Sequence, residues 1–302
     1  MTSPLVSVVI PAYNGGSLLR AAVESVLAQT YSPIEVVVVD DGSEEDVGAL
    51  LEPVADRIRL IRQTNAGTAA ARNRGISKSR GDFIALLDQD DLWDSEKLAL
   101  QMPAFDDAAV ALVHSGARWV DVNGRVTSEL QADPTLDTHA LLADCRVPVQ
   151  TVVIRRSALN LVGEFDESLS AADDWDMWIR FAERFRLAAV PHTLATIRVH
   201  PGNQSRNAEL MYRTARQLFA KNRKIHGSCP QCRRALRRAS IANRAYYYGR
   251  RREEARALVA AGHRGAALRV TARAISRNPR AVVTTPAHFL GGRSSHRDSV
   301  PR

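Results

Sequence analysis

Short apolar runs alternate with helical segments over the first hundred residues, and this alternation most constrains the fold. The predicted strands cover residues 5–10, 34–39, 58–61 and 83–87, and the predicted helices cover residues 17–29 and 68–79. Apolar runs without polar alternation are typical of strands buried on both faces of a parallel sheet. Repeated β-α units with short links predict an α/β fold whose mostly parallel central sheet has helices on both faces.

The pattern changes after residue 100. Residues 110–199 mix strand and helix signals, with strands expected at 110–113, 149–154 and 195–199 and helices at 157–161 and 175–185. Beyond residue 203, Ala, Leu and Arg dominate and predict an all-helical region, with two helices within 243–279 joined near 262–265. The tail from Thr284 is rich in Gly, Ser and Arg and is predicted to be disordered. The predicted regions are a domain at 1–205, with halves at about 1–100 and 101–205, a basic helical region at 206–283 and a disordered tail at 284–302.

The formal net charge of +8 hides a change of sign along the chain. Up to Ser205 the chain has 18 Lys and Arg against 29 Asp and Glu, whereas from Arg206 onward it has 23 against 4. The basic region could be a solvated Arg-rich face, a nucleic-acid patch or a surface for anionic lipid. We favour the anionic membrane surface over nucleic acid, because the region lacks a recognition motif and its aromatic residues are mainly Tyr246, Tyr247 and Tyr248.

Cysteine usage and the N-terminus predict a cytoplasmic location. Three cysteines do not make a disulfide framework, no apolar run has the roughly 18–20 residues of a membrane span, and no secretory signal begins the chain. The basic helices add the expectation of peripheral attachment to the inner face of the plasma membrane. Cys229 and Cys232 form a single CxxC pair, which we interpret as two ordinary thiols. Metal binding with His226 as a third ligand is the alternative.

Acidic residues follow two of the predicted strands. Asp40 and Asp41 end the second strand, and Asp88, Asp90 and Asp91 come directly after the fourth. Ligands bind at the carboxyl ends of strands in such sheets. Carboxylates packed this closely repel one another, so the cluster predicts a Mg²⁺ or Mn²⁺ site, with a solvated acidic turn as the alternative.

Two common nucleotide motifs are absent from the sequence. The segment after the first strand, PAYNGG, is not a GxGxxG turn, and no GxxxxGK[ST] loop occurs. Hydride transfer with a dinucleotide and P-loop phosphotransfer therefore have no support.

Seven segments within residues 5–205 carry a resemblance to a known family. They are VSVVIPAYNGG, VVVVDDGS, NAGTAAARNRG, LLDQDD, VGEFDESL, DDWDMWIRF and IRVHPGNQS. In order and spacing they resemble the family 2 glycosyltransferases of bacterial cell-surface glycan synthesis. The resemblance implies the Rossmann-like GT-A fold and an inverting transfer from a nucleoside diphosphate sugar to a hydroxyl of a glycan or lipid-linked saccharide.

The resemblance also implies the donor site. Pro11, Tyr13 and Asp41 correspond to the pocket for the nucleotide base, with Asp41 accepting a hydrogen bond from the ring. Arg72 and Asp88 correspond to further contacts with the donor nucleotide.

A metal site follows from the same resemblance. Asp88 and Asp90 match the DxD pair, with Asp90 the preferred ligand of a divalent cation and Asp91 the neighbouring carboxylate. His200 corresponds to a residue near the metal or the diphosphate, with a structural role as the alternative.

The catalytic base and the acceptor side come last. Asp174 matches the Asp of the family's Glu-Asp motif, the general base, but Asp173 stands where Glu is usual, and the choice between them rests on alignment alone. A base is needed because an acceptor hydroxyl must lose its proton as it attacks the anomeric carbon. Trp175 and Gln150 are assigned to the acceptor pocket. Trp175 and Trp178, three residues apart, are equally suited to the core.

Two rival functions belong to other classes. A nucleotidyltransferase would also use a parallel sheet and acidic metal ligands, but the loop after the first strand lacks the expected Lys or Arg. A non-catalytic scaffold with a transferase-like, nucleotide-sugar-binding domain is the alternative outside enzymes.

Overall fold

The computed structural model describes residues 3–277, which form a nine-stranded sheet flanked by helices and followed by three longer helices. The strands are β1 (Val6–Ala12), β2 (Ile34–Asp40), β3 (Arg59–Arg62), β4 (Phe83–Leu86), β5 (Leu92–Trp93), β6 (Val110–Val120), β7 (Val126–Leu130), β8 (Val153–Arg155) and β9 (Arg186–Arg198). The helices are α1 (Gly16–Leu27), α2 (Val47–Leu51), α3 (Thr68–Lys78), α4 (Lys97–Gln101), α5 (Thr138–Ala143), α6 (Arg156–Val162), α7 (Asp173–Ala182), α8 (Ala208–His226), α9 (Pro230–Ala260) and α10 (Arg264–Arg277).

The sheet has a parallel half and a mixed half. The strand order is β3-β2-β1-β4-β8-β6-β9-β5, and β7 pairs with β6 outside this path. The first four strands pair in parallel, as the β-α pattern predicts. β8 runs antiparallel to both β4 and β6, and β9 runs parallel to β6. The sheet as a whole is therefore mixed, and its parallel part is formed by β1–β4.

Helices cover both faces of the parallel half. The side chains of Val8 and Ile10 on β1 pack with α1, whereas Val9 on the same strand lies in the cluster on the other face. On that second face α3 approaches so closely that a Cβ atom added to Gly75 would lie 2.3 Å from Val9 Cγ1. The burial of both faces explains why β1 and β2 are almost continuously apolar.

The basic helices extend the core formed within residues 101–205. Apolar residues in the first half of α9 share a buried cluster with α5, α7 and α8; they are Cys232, Ala235, Leu236 and Ala239. The rest of α9 packs on α8 and α10 through Tyr247, whose ring stacks on Tyr212 at 4.4 Å between ring centres. Across residues 3–277, none of the helices is long and apolar enough to cross a bilayer. The predicted disorder of residues 284–302 lies outside the described residues.

Candidate functional site

A polar cleft of about 480 Å³ opens at the carboxyl ends of β1, β2 and β4. The parallel strands bring their ends to one edge, so residues far apart in the sequence meet there. Of the residues selected from the sequence, ten line this cleft and His200 does not; the ten are Pro11, Tyr13, Asp41, Arg72, Asp88, Asp90, Asp91, Gln150, Asp173 and Asp174.

Asp41 is buried at the end of β2 and organises the loop that leads into α3. Its Oδ1 accepts hydrogen bonds from Gln63 Nε2 and the Ala66 N–H, both at 2.8 Å, and its Oδ2 accepts one from the Gly67 N–H at 2.8 Å. A carboxylate has about four acceptor positions, so about one is left for a ligand in the cleft.

Tyr13 presents an exposed ring beside residues 88–91, the acidic loop that follows β4. Its backbone N–H donates to Gln89 Oε1 at 2.8 Å, and Gln89 Nε2 donates back to the Tyr13 carbonyl at 3.0 Å. This reciprocal pair fixes the loop after β1 against the loop after β4. The ring of Tyr13 is 46% exposed and is therefore free to stack on a planar ligand.

Arg72 connects the acidic loop to α7 through two hydrogen bonds. Its side chain from α3 donates to Asp88 Oδ1 at 2.7 Å and to Asp173 Oδ2 at 2.6 Å. Burial favours the neutral guanidinium, but the carboxylates of Asp88, Asp173 and Asp174 outweigh burial and raise the pKa of Arg72. Its Nε is buried without a hydrogen-bond partner among the described residues. Arg72 is thus a fixed positive charge between the acidic loop and the candidate base.

The acidic loop after β4 concentrates negative charge at the sheet edge. Burial raises the pKa of Asp88, and burial together with Asp90 and Asp88 raises the pKa of Asp91 well above its usual value. Gln150 Nε2 donates to Asp88 Oδ2 at 2.9 Å and also to Asp91 Oδ2. The Arg198 N–H donates to Asp91 Oδ1 at 2.9 Å. Gln150 therefore orders the acidic loop, and contact with an acceptor stays a prediction for this residue.

Asp90 and His200, both expected near a metal from the sequence, are in hydrogen-bond contact. His200 Nε2 is 2.9 Å from Asp90 Oδ2, and Asn203 Nδ2 donates to the same oxygen at 2.9 Å. His200 Nδ1 accepts from the Gly202 N–H at 3.2 Å, which assigns the ring proton to Nε2.

Asp173 and Asp174 begin α7 but occupy different environments. Asp173 is buried and bound to Arg72. Within the described chain, the one hydrogen bond of the Asp174 carboxyl comes from the Trp175 N–H to Oδ1, at 2.7 Å. Burial, reinforced by the neighbouring Asp173, raises the pKa of Asp174 to about 7. Asp174 therefore combines a half-buried carboxyl that lines the cleft with a pKa suited to proton transfer near neutral pH.

The third carboxylate of this helix start has a structural partner set. Asp176 is buried, and its oxygens pair with Arg180 Nε at 2.8 Å and Lys221 Nζ at 2.8 Å. Lys221 on α8 also binds Asp166 Oδ2 at 2.7 Å. These ion pairs tie α7 to the basic helices and leave Asp176 no part in the cleft.

Trp175, assigned to the acceptor pocket from the sequence, is partly buried against the core, and contact with an acceptor stays a prediction for it. Trp175 does not line the cleft. Its Nε1 donates to the Leu141 carbonyl at 2.5 Å, and its ring meets Phe219 edge-on at 5.4 Å between ring centres. Trp178 is fully buried and donates to the Val147 carbonyl at 3.0 Å. Both rings therefore belong to the core, the alternative that helical spacing allows.

Several cleft residues were not selected from the sequence. Trp119 on β6 lines the cleft and supplies an aromatic face there, beyond the point where the predicted strand stops. Gln89 and Asn203 lie inside recognised motifs, LLDQDD and HPGNQS, but amide side chains give no signal of their own. Arg198 does not line the cleft, but its backbone N–H donates to Asp91 Oδ1, a contact that the sequence did not predict.

The donor set of the acidic loop fits a hard divalent cation. Asp88, Asp90 and Asp91 line one cleft, and the His200 imidazole lies against Asp90. Burial is the main cause of the raised pKa values of Asp88 and Asp91, so a cation beside them would favour their ionised forms. Carboxylate oxygens are ligands that Mn²⁺ accepts, so the acidic residues suit such an ion, whereas both ring nitrogens of His200 are already hydrogen-bonded.

Comparison with known proteins agrees with this geometry. The family model described as glycosyl transferase family 2 matches residues 7–156. A glycosyltransferase of Rickettsia typhi is 30% identical over 219 residues, which are 68% of this chain and 67% of that protein. The Escherichia coli UDP-Glc:alpha-D-GlcNAc-diphosphoundecaprenol beta-1,3-glucosyltransferase WfaP is 30% identical over 207 residues, 67% of this chain and 80% of that protein. The Escherichia coli chondroitin synthase is 34% identical over 60% of this chain but only 27% of its own length.

Solved structures share the fold. A mannosyltransferase from Pyrobaculum calidifontis, solved with GDP-Man and Mn²⁺, has a TM-score of 0.63 at 20% identity and covers 96% of this chain and 86% of its own. S. aureus TarS 1-349 with UDP-GlcNAc has a TM-score of 0.59 at 20% identity and covers 72% and 66%. This chain shares a GT-A-like sheet with these structures. The chain belongs to the family 2 glycosyltransferases.

Proposed function

We propose that the chain transfers a sugar, with inversion, from a nucleoside diphosphate sugar to a hydroxyl of a glycan or lipid-linked saccharide. The observation that carries this proposal is the position of Asp174. Its half-buried carboxyl, with a pKa of about 7, lines the same cleft as Asp41, Asp88 and Asp90. The relationship to WfaP, whose name states a diphosphoundecaprenol-linked acceptor, supports a lipid-linked acceptor.

The donor is assigned to the strand ends. The nucleotide base lies against Pro11 and Tyr13, with Asp41 offering its remaining acceptor position to a ring N–H. Arg72 contributes positive charge toward the diphosphate, since its buried Nε is unpaired in the described structure.

The reaction is a single displacement. Asp174 takes the proton of the acceptor hydroxyl as the hydroxyl oxygen bonds to the anomeric carbon, and the bond from that carbon to the diphosphate oxygen breaks on the opposite face. A divalent cation, Mn²⁺ or Mg²⁺, held by Asp90 and Asp88 beside His200 would supply positive charge at the leaving diphosphate. Asp173 keeps Arg72 in place and holds the Asp174 pKa up.

The direct test is release of nucleoside diphosphate from a panel of nucleotide sugars, with and without saccharide acceptors. We expect one donor to be consumed, with turnover that rises when an acceptor is added. Asp174→Asn should lower turnover by about 10²–10⁴-fold, the usual contribution of a general base. Asp56→Asn, which removes the same charge from an exposed site, is the control. A protein that binds a nucleotide sugar but never turns it over would favour the scaffold alternative.

We also propose that the basic helices dock on an anionic membrane surface, at the inner face of the plasma membrane, where a lipid-linked acceptor would lie. A groove of about 1090 Å³ between α8 and α9 carries the charge. Its lining includes seven arginines, Arg213, Arg216, Arg223, Arg233, Arg237, Arg244 and Arg277. Each cation near an anionic leaflet contributes about 1 kcal/mol. The division into a transferase domain at 1–205 and a basic region at 206–283 is proposed on the same grounds.

Vesicle sedimentation tests the docking. The full chain should bind vesicles rich in phosphatidylglycerol at physiological salt and should not bind phosphatidylcholine vesicles. The double variant Arg237→Gln/Arg244→Gln should bind more weakly, whereas Arg74→Gln/Arg125→Gln, with the same charge loss on the other half, should bind like the parent. Equal binding by all three proteins, or none to anionic vesicles, overturns the docking proposal.

A further inference from the structure

A second cluster of ligating side chains lies where α5 meets the start of α9. One ring nitrogen of His139 and the sulfur atoms of Cys229 and Cys232 all lie within 4.8 Å of one another. The Cys229 Sγ is 3.8 Å from His139 Nε2. None of the three residues lines the cleft. Two separate parts of the chain, ninety residues apart, thus converge on one point.

The local structure prepares both sides of this cluster. Cys229 precedes α9, and its sulfur accepts the Cys232 N–H at 3.4 Å. His139 Nδ1 lies 3.4 Å from Asp137 Oδ2, which orients the ring so that Nε2 faces the sulfurs. An imidazole held by a carboxylate on its far nitrogen is the arrangement typical of metal-ligating histidines.

We propose that His139, Cys229 and Cys232 bind a zinc ion. Two thiolates separated by two residues and one imidazole are a donor set that zinc prefers and that Mg²⁺ and Mn²⁺ do not. With zinc–sulfur bonds of about 2.3 Å and zinc–nitrogen bonds of about 2.0 Å, tetrahedral ligand atoms lie roughly 3.5–3.8 Å apart. The distance from Cys229 Sγ to His139 Nε2 is already 3.8 Å. The Cys232 sulfur lies within 4.8 Å of both atoms, so a small side-chain adjustment would bring all three to ligand distance.

The third ligand separates this proposal from a simple dithiol. A redox-active CxxC pair needs its two sulfurs only, whereas here a histidine from another helix is placed against them. The fourth position of the tetrahedron falls to water or to His226. The backbone carbonyl of His226 already accepts the Cys229 N–H at 3.1 Å, so this residue borders the site.

The proposed ion would connect the start of α9, in the basic helices, to α5. α5 carries His139 and also Leu141, whose carbonyl accepts the Trp175 indole N–H. Trp175 directly follows Asp174, so the position of α5 bears on the start of α7. The zinc ion is therefore structural, apart from the cation proposed for the diphosphate.

Metal analysis of the full chain tests the proposal. Protein purified with zinc and dialysed against a weak chelator should retain about one zinc ion per chain, as a structural site does. After replacement by Co²⁺, thiolate-to-cobalt charge-transfer bands and the visible bands of tetrahedral cobalt should appear. Cys229→Ser, Cys232→Ser and His139→Gln should each lose most of the bound zinc. Because the His139 ring is partly exposed, His139→Gln should keep its fold, which circular dichroism checks.

Cys145→Ser is the matched control, since Cys145 is the third cysteine and lies outside the cluster. It should retain zinc and the cobalt spectrum. His226→Gln identifies the fourth ligand: lost affinity assigns it to His226, and unchanged affinity assigns it to water, both with the three-residue site intact. Reduced protein that retains almost no zinc, or equal zinc loss in Cys145→Ser, overturns the proposal. These readouts do not involve the transferase reaction, so they stand or fall apart from the proposed function.

Discussion

Asp173 and Asp174 show how neighbouring residues of one type acquire different properties. The carboxylate of Asp173 is paired with Arg72, whereas the carboxyl of Asp174 lines the cleft and has a pKa of about 7. Alignment alone left the choice between them open, because the sequence has Asp where the family usually has Glu. The contacts supply a physical reason to prefer Asp174 as the base.

The raised pKa of Asp174 predicts a pH profile. The carboxylate is the active form of a general base, so kcat/KM should increase with pH and level off above a midpoint near 7. Asp173→Asn removes a negative neighbour that holds this pKa up, so the midpoint should move to lower pH. The measurement is the initial rate of nucleoside diphosphate release at low donor concentration between pH 5 and 9.

The same profiles distinguish the two carboxylates. In Asp174→Asn the acidic limb should vanish together with most of the activity. A limb that persists in Asp174→Asn and vanishes in Asp173→Asn would assign the base to Asp173 instead.

At the residue scale, the sequence predicted the acidic positions better than the aromatic ones. Asp41, Asp88 and Asp90 follow strands, and strand ends converge by topology, so their meeting in one cleft was foreseeable. Helical spacing cannot tell which side of a helix faces the core, and Trp175 packs inward. Trp119 was missed because its strand continues past the apolar run that signalled it.

At the scale of elements, the contact between α3 and β1 depends on the lack of a side chain at Gly75. A Cβ there would lie 2.3 Å from Val9 Cγ1 and 3.1 Å from Val39 Cγ2. Gly75→Ala should therefore lower the free energy of unfolding by about 1–3 kcal/mol, the usual effect of overpacking. Gly249→Ala in α9, where a Cβ meets nothing within 4 Å, should raise it by roughly 0.5–1 kcal/mol. Urea denaturation measures both, and equal effects of the two substitutions would contradict the described packing.

The helix α4 carries a lysine buried without a carboxylate partner among the described residues. Lys97 Nζ donates to Gln101 Oε1 at 2.6 Å and lies 4.1 Å from the centre of the Trp93 ring. Burial lowers the pKa of Lys97 well below its usual value, so the folded protein favours the neutral amine. Trp93 in turn donates to the Gln150 carbonyl at 2.8 Å, which places this lysine under the acidic loop.

The lowered pKa of Lys97 predicts that the free energy of unfolding increases with pH. The unfolded chain binds a proton that the folded chain does not, so the free energy of unfolding should rise between the folded pKa and about 10.4. The slope is up to about 1.4 kcal/mol per pH unit. Urea denaturation at pH 7 and 9 should show this rise for the parent relative to Lys97→Met. A difference between the two proteins that stays flat with pH would mean that the folded state keeps Lys97 charged.

The elements themselves followed from the sequence to different degrees. β1, β2, β4, α1 and α3 lie within two residues of their predicted bounds, because buried strands and amphipathic helices carry strong patterns. β7 was missed because its residues are mostly exposed and polar, and β5 is only two residues long. β9 begins nine residues before its predicted start, since its first part contains Pro191 and little β-branched sequence.

At the scale of the whole molecule, the change of charge sign has a structural counterpart. The acidic part of the chain forms the sheet and its cleft, and the basic part forms α8, α9 and α10. The sequence predicted these helices but not how they attach. Buried apolar residues of α9 and the ion pairs of Lys221 make the attachment. The sequence pattern of these helices does not differ from that of a solvated helix, so it could not predict the attachment.

The central claim is that the cleft binds a nucleoside diphosphate sugar together with a divalent cation. A ligand that binds only the folded state raises the melting temperature according to its concentration and affinity. The measurement is a thermal-shift screen of nucleoside diphosphates and nucleotide sugars, with and without Mn²⁺, on the parent and Asp90→Ala. The account predicts stabilisation by the nucleotides of one base, dependent on Mn²⁺ and lost in Asp90→Ala. No shift with any nucleotide, or an equal shift in Asp90→Ala, would contradict it.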